Sequence, residues 1–375
     1  METTIISGSI NGVQVQIKVE DGMIQQIGDL AKTDFTGATL IQTDGEILPG
    51  FIDVHVHGGG GAEVMEGTEE AFEQVCTTHA KHGTTGLLLT TVTSPAAELD
   101  KVFSAYQKGR VRNGAEVLGF HLEGPFINPE KPGAQPKEHI ILPNTDLFKH
   151  WQSLCGGAIR YVTVAPEMEH AESLIRWAAN EGVIVSMGHC NATAEEAAQG
   201  IEWGAKSTTH LFNAMSSAHH RKPGLAGTSL GDNRIMAELI ADLIHVHPLM
   251  LTAAIRAKGL HRIMLITDAV HAADMPEGEY VWGNRTVQLR DGAVRLPDGT
   301  LAGSTLTLDR AVHNLLSIHA LEPADVPQVT SGNQSELLGL PHGRIAVGAP
   351  ANLIAVNQSW EVTHTVVRGK LVYRS

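Results

Sequence analysis

Eight apolar runs with strand character recur through the middle of the chain: FIDVHVH (51–57), GLLLTTVT (86–93), VLGFHLE (117–123), IRYVTVA (159–165), VIVSMGH (183–189), STTHLF (207–212), AELIADLIHV (237–246) and IMLITDA (263–269). Strands this apolar belong to a parallel sheet whose faces are covered by helices. The segments between several of them supply such helices. In TEEAFEQVCTTHAKHG, Phe72, Val75, Cys76, His79 and Ala80 recur at the spacing of one helical face, and PAAELDKVFSAYQKG (95–109) repeats the pattern with Leu99, Val102, Phe103 and Tyr106. HAESLIRWAANEG, TAEEAAQGIEWG and PLMLTAAIRAKG follow suit. Eight strands in this rhythm predict an α/β fold of the (β/α)8 barrel type rather than a doubly wound sheet. The chain also lacks a GxGxxG turn after a strand, the mark of a dinucleotide-binding sheet.

The two ends read differently. TTIISGSI, VQVQIKVED and MIQQIGD are strand-like, with Asn11-Gly12 and Asp21-Gly22 as hairpin turns. From about Arg344 the pattern returns in NLIAVNQ and EVTHTVVRGKLVY. Neither end is long enough for a core of its own, so residues 1–48 and 344–375 are expected to pair into one small β domain, with the barrel of residues 49–343 inserted between them. The formal net charge of −14 argues against nucleic acid or an anionic membrane as a partner. No run reaches the length of a membrane span and no secretory leader precedes the first strand. Cys76, Cys155 and Cys190 form no CxxC pair, so a disulfide framework is not expected and a reducing, cytoplasmic location is.

In such a barrel, chemistry sits at the C-terminal ends of the strands. Those ends carry His55 and His57, then Glu123, His189, His210 and Asp268. The period of two in a strand points His55 and His57 to the same side. Imidazole and carboxylate together suit Zn²⁺, Fe²⁺, Mn²⁺ or Co²⁺. Other histidines of the 20, among them His79, His82, His150, His313 and His319, fall in helical patterns and read as structural. His245 and His247 end the seventh run, with His245 as the inward residue. Cys190 reads as a small buried apolar residue.

PGFIDVHVHG, HLEGPF, GHCNAT, THLFNAM, RKPGLAG, LIADLIHV, TDA and LAGSTLT, in this order, resemble the N-acetylglucosamine-6-phosphate deacetylase family of the amidohydrolase superfamily. The resemblance runs from about residue 45 to the C-terminus. It implies that Glu123, His189 and His210 are the principal metal ligands and that Asp268 is the catalytic acid/base. His55 and His57 match a second, variable metal position, which Glu123 and Asp268 could help hold. The cofactor is therefore one or two divalent metals per subunit, with Zn²⁺ favoured. The resemblance places Ala134, Asn213, Ala214, Arg221, His245 and the segment Leu301-Ala302-Gly303 at the substrate. Here Ala134-Gln135 replaces a Thr-His pair found in other members. Arg221 would reach the neighbouring site of a homodimer to bind the sugar phosphate; by composition alone its loop, 213–235, is a solvated basic turn that interrupts the strand–helix rhythm. The implied reaction is hydrolysis of the acetamide of N-acetylglucosamine 6-phosphate to acetate and glucosamine 6-phosphate. The galactosamine epimer, another amide substrate and a non-enzymatic barrel are the alternatives.

Overall fold

A computed structural model describes residues 3–29, 37–106, 111, 113–283 and 285–375. All eight expected runs form strands of one parallel sheet: Phe51–Val56, Thr84–Thr90, Glu116–Glu123, Ile159–Val164, Ile184–Met187, Ser207–Thr208, Met236–Ile240 and Ile263–Ile266. Each pairs with its neighbour in chain order. The sheet curls until its first and last strands meet. There the Asp268 N–H donates to the His55 carbonyl at 2.9 Å and the His57 N–H to the Ala269 carbonyl at 2.8 Å. Barrel closure thus runs through three of the expected site residues, His55, His57 and Asp268.

Helices cover the outside. The helix Glu69–Lys81 starts where Thr68 accepts the Ala71 N–H, and Ala194–Trp203 starts at a capping box between Thr193 and Glu196. Pro248 opens Pro248–Lys258, a position where its missing N–H costs nothing. The second expected helix is Ala96–Ala105; residues 107–109 of that pattern lie outside the described residues. Alternation along the third strand sends Phe120 outward, against Phe72, Phe103 and Tyr106 with ring centroids 6.0, 5.1 and 5.1 Å away. Its neighbours His121 and Glu123 point inward.

The terminal segments join in one seven-stranded mixed sheet, in the order Lys370–Arg374, Val362–Val367, Leu353–Val356, Thr39–Pro49, Thr3–Ile10, Val13–Glu20, Met23–Gly28. Antiparallel pairing of Leu353–Val356 with Thr39–Pro49 links the two ends of the chain. Asn11-Gly12 and Asp21-Gly22 take positive φ (51°, 73°, 48° and 78°), as tight hairpins with a right-handed twist require. Gly50 carries the chain from this sheet into the first barrel strand; a Cβ there would lie 2.2 Å from the Thr85 side chain.

The structure departs from the sequence reading at four places. The seventh strand ends at Ile240 rather than near residue 246, because Asp242 accepts the N–H groups of Ile244 and His245 and turns the chain. Strands five, six and eight stop short of His189, His210 and Asp268, which sit on the loops that follow. Within the expected loop 213–235 lies a helix, Gly224–Gly231, which its three glycines conceal from pattern reading. After the eighth strand comes an unanticipated four-stranded antiparallel sheet, Gly278–Trp282, Arg285–Arg290, Ala293–Arg295 and Leu301–Ser304.

Replacing Phe120 with Ala removes the ring that joins the barrel wall to two helices. The expected cost is about 3–5 kcal/mol, read as a lower denaturant midpoint with native far-ultraviolet circular dichroism in the folded baseline; a loss under about 1 kcal/mol would contradict this packing account.

Candidate metal centre and substrate cavity

Two triads of ligand-type side chains meet at the barrel mouth: His55, His57 and Asp268, and Glu123, His189 and His210. Glu123 joins them. Its Oε1 lies 3.2 Å from the Nε2 atoms of both His189 and His210 and 3.3 Å from that of His55, while Oε2 lies 3.2 Å from His57 Nε2. Asp268 Oδ1 stands 3.2 Å from His57 Nε2 and 3.5 Å from His55 Nε2.

For His57, His189 and His55 the far side of the ring decides what the near side can do; His210 Nδ1 has no partner there. His57 Nδ1 faces the Thr90 carbonyl at 3.1 Å and His189 Nδ1 the Lys131 carbonyl at 3.0 Å. A carbonyl only accepts, so each Nδ1 carries a proton and, in the neutral ring, each Nε2 is a bare lone pair. His55 Nδ1 likewise donates to the Glu238 carboxylate at 3.0 Å. Yet Nε2 of His55 and His57 lie 3.2 Å apart, and those of His189 and His210 lie 3.0 Å apart. Lone pairs and carboxylates at such separation repel one another unless a cation stands among them, so the donor set fits divalent metal.

Protonation tells the same story. Burial opposes charge on His57, but hydrogen bonds with Asp268 and Glu123 outweigh it and lift its pKa to about 9. His55 is buried too, and the negative charges of Glu123 and Asp268 push it well above its ordinary value. Burial works against the ionised carboxylates, yet the facing histidines hold Glu123 well below and Asp268 below the usual range. In the metal-free chain, protons occupy the place of the cation.

Backbone geometry reinforces the ligands. His189, His210 and Asp268 take left-handed φ of 46°, 29° and 51°. For residues other than glycine this costs on the order of 1–3 kcal/mol each, sustained only where the surroundings demand it. Pattern reading missed Glu238, which points inward from the seventh strand. Fully buried, it accepts the Tyr161 hydroxyl at 2.6 Å, the His210 N–H at 3.1 Å and His55 Nδ1, so it braces both triads at once. A glutamate alternating with apolar residues in AELIADL was the available signal. Gln135, buried beside the centre, donates to Glu123 Oε2 at 2.6 Å and accepts the Thr93 N–H at 2.7 Å.

Beside the centre opens a cavity of about 390 Å³, within the range of small-molecule sites (roughly 300–1,000 Å³). Ala134, Asn213, Ala214, His245, Leu301 and Gly303 line it. Ala302 does not; it is buried in the apolar cluster with Val270 and Trp282. His245 reaches the cavity from a loop rather than from a strand end. Its Nδ1 is 2.6 Å from Asp242 Oδ2, and although burial opposes it, that carboxylate raises its pKa. His247 is exposed and caps the following helix. Arg221 is exposed, is absent from the lining of its own chain's cavity, and donates to His220 Nε2 at 2.6 Å. Trp282 and Arg295 line the cavity from the four-stranded sheet, of which the sequence reading assigned only the segment Leu301-Ala302-Gly303. Cys76, Cys155 and Cys190 are free and buried. Among the described residues no helix is long and apolar enough to cross a membrane.

Comparison with known proteins agrees with this fold. The model of the amidohydrolase family matches residues 47–372. The chain is 36% identical over 367 residues to N-acetylglucosamine-6-phosphate deacetylase of Bacillus subtilis (strain 168), covering 96% of this chain and 93% of that protein. It is 34% identical over 363 residues to N-acetylgalactosamine-6-phosphate deacetylase of Escherichia coli O157:H7, covering 95% and 94%. Its fold superposes, with a TM-score of 0.90, 27% identity and coverage of 99% and 100%, on a mutant N-acetyl-D-glucosamine-6-phosphate deacetylase of Mycobacterium smegmatis in complex with N-acetyl-D-glucosamine-6-phosphate.

Two outcomes are expected. Metal must displace protons from histidines whose pKa is raised, so affinity falls as pH drops below about 9, where His57 gains its proton. Calorimetry in buffers of different ionisation enthalpy should register proton release on metal binding; none at pH 7 would contradict the assignment. Glu238→Gln should weaken metal retention roughly 10- to 100-fold, measured as metal per chain after dialysis against a chelator series.

Proposed function

Because the chain belongs to the amidohydrolase family, we propose that its barrel mouth hydrolyses the acetamide of N-acetylglucosamine 6-phosphate, releasing acetate and glucosamine 6-phosphate. The observation that carries this reading is the pair of His/carboxylate triads sharing Glu123 beside the cavity. Full-length likeness to deacetylases of phosphorylated amino sugars supplies the substrate. A non-enzymatic barrel would have no use for so complete a set of buried ligands.

Glu123, His189 and His210 would hold one cation, and His55 and His57, with Asp268, a second; Zn²⁺ is the metal we favour. When bound, such a cation lowers the pKa of water to about 7 and polarises the amide carbonyl. The chain's own residues do the rest. Asp268, which His55 and His57 hold ionised in the metal-free chain and which a cation between them would hold so in the loaded one, lines the cavity as the third member of their triad. As general base it takes the proton of the attacking water while the new C–O bond forms. It then returns that proton to the nitrogen as the C–N bond breaks, so the amine leaves neutral. Asn213, Ala214, His245, Leu301 and Gly303 orient the sugar, with Ala302 buried behind the segment, and Ala134 offers backbone contact.

Arg221 lies outside its own chain's cavity, which supports a homodimer in which it serves the neighbouring site as a planar donor fork for phosphate. Residues 49–343 form the catalytic unit of this reading and residues 1–48 with 344–375 the small β domain. The unpaired thiols are in keeping with a cytoplasmic enzyme.

Acetate release from N-acetylglucosamine 6-phosphate, run beside the galactosamine epimer, tests the reading directly. No release at any loading with Zn²⁺, Fe²⁺, Mn²⁺ or Co²⁺ would sink it. Asp268→Asn should lower kcat by about 100- to 10,000-fold with the Glu123 triad still metal-loaded; near-normal turnover would remove Asp268 from the proton transfer. Sedimentation analysis should show a dimer, and a monomer with full phosphate selectivity would refute the shared-site arrangement.

A further inference from the structure

We infer that Arg295 is a specificity residue that each chain contributes to its own site, recognising the phosphate of the substrate. The inference rests on the deacetylase reading and deepens it. Among the described residues that line the cavity, Arg295 is the one Lys or Arg side chain. A phosphate dianion entering there meets the carboxylates of Glu123 and Asp268 at the metal end, and needs its own positive partner away from them. Arg221 of the same chain lies outside the cavity lining. His245 already shares its charge with Asp242.

Position and tethering suit Arg295 to the task. It ends the strand Ala293–Arg295, opposite Leu301 in the antiparallel register, so it shares a hairpin with the segment expected at the sugar. The turn of that hairpin holds it: Nη1 donates to the Gly299 carbonyl at 2.9 Å. That bond fixes one corner of the guanidinium and leaves the remaining donors of the planar fork for an anion. Arg295 is exposed, as a group that meets an incoming ligand must be.

Steady-state kinetics on the metal-loaded, full-length protein tests this. For Arg295→Ala, KM for N-acetylglucosamine 6-phosphate should rise by roughly 10-fold or more, the loss expected for a charged hydrogen bond. The loss should sit in KM more than in kcat. It should also exceed the loss on unphosphorylated N-acetylglucosamine by a similar factor. Inhibition by inorganic phosphate should weaken in parallel, and Arg295→Lys should restore part of both effects. Equal losses on the two sugars, or an unchanged inhibition constant for phosphate, would overturn the inference while leaving the deacetylase reading intact. Wild-type protein that released no acetate would overturn that reading instead; in that event calorimetric titration of inorganic phosphate into both proteins still decides, since equal affinities would remove Arg295 from anion binding.

Discussion

Everything at the mouth of this barrel depends on one electrostatic constraint. Imidazole nitrogens and two carboxylates converge, out of water, at separations where a neutral histidine set would be repulsive. Either protons or cations must stand between them. The carbonyls of Thr90 and Lys131 decide which ring nitrogen faces inward, and the Glu238 carboxylate does so for His55. Each of those partners lies on the fold's backbone or in its interior, so the ligand geometry belongs to the barrel and not to the six side chains alone.

Barrel closure and the centre are one structure. The bonds that join the last strand to the first run through His55, His57 and Asp268 themselves. On the other side of Asp268, its carbonyl accepts the Ser304 N–H at 2.8 Å, which ties the four-stranded sheet to the same residue. Gly303 makes that approach feasible: with φ at 63°, a Cβ there would come within 2.5 Å of Val270 and 2.9 Å of the Asp268 carbonyl. The segment expected to touch substrate therefore packs directly on the residue expected to move its proton. A change in the sugar pocket has a short path to the chemistry.

Much of this was readable from the chain. All eight strands appear where the apolar runs stand, because strands buried on both faces are rich in apolar residues on their helix-covered side. His55 and His57 share a side because the strand period is two. Asn11-Gly12 and Asp21-Gly22 form turns because few other pairs accept two positive φ angles. Other parts were hidden for equally physical reasons. Asp242 ends the seventh strand by capturing two N–H groups within an otherwise apolar stretch. The helix at Gly224–Gly231 is rich in glycine, and its stability comes from packing and from Ser216, whose Oγ accepts the Leu225 N–H at 2.7 Å. Glu238 looks like an ordinary charged residue until the barrel closes around it.

The sequence by itself determined the kind of chemistry and its approximate address: histidines and carboxylates at strand ends, an α/β barrel between two β-rich tails, and motifs of a deacetylase family. Residue type and periodicity are local properties, and they survive being read one position at a time. What only the tertiary structure decided is which groups meet. Glu123 joins two triads, Glu238 braces both, Gln135 occupies an oxygen of Glu123, and Arg295 arrives from a sheet inserted after the last strand. Those encounters join residues that stand far apart in the chain. They are set by closure of the barrel and by the folding of the inserted sheet onto Asp268, and no local pattern encodes them.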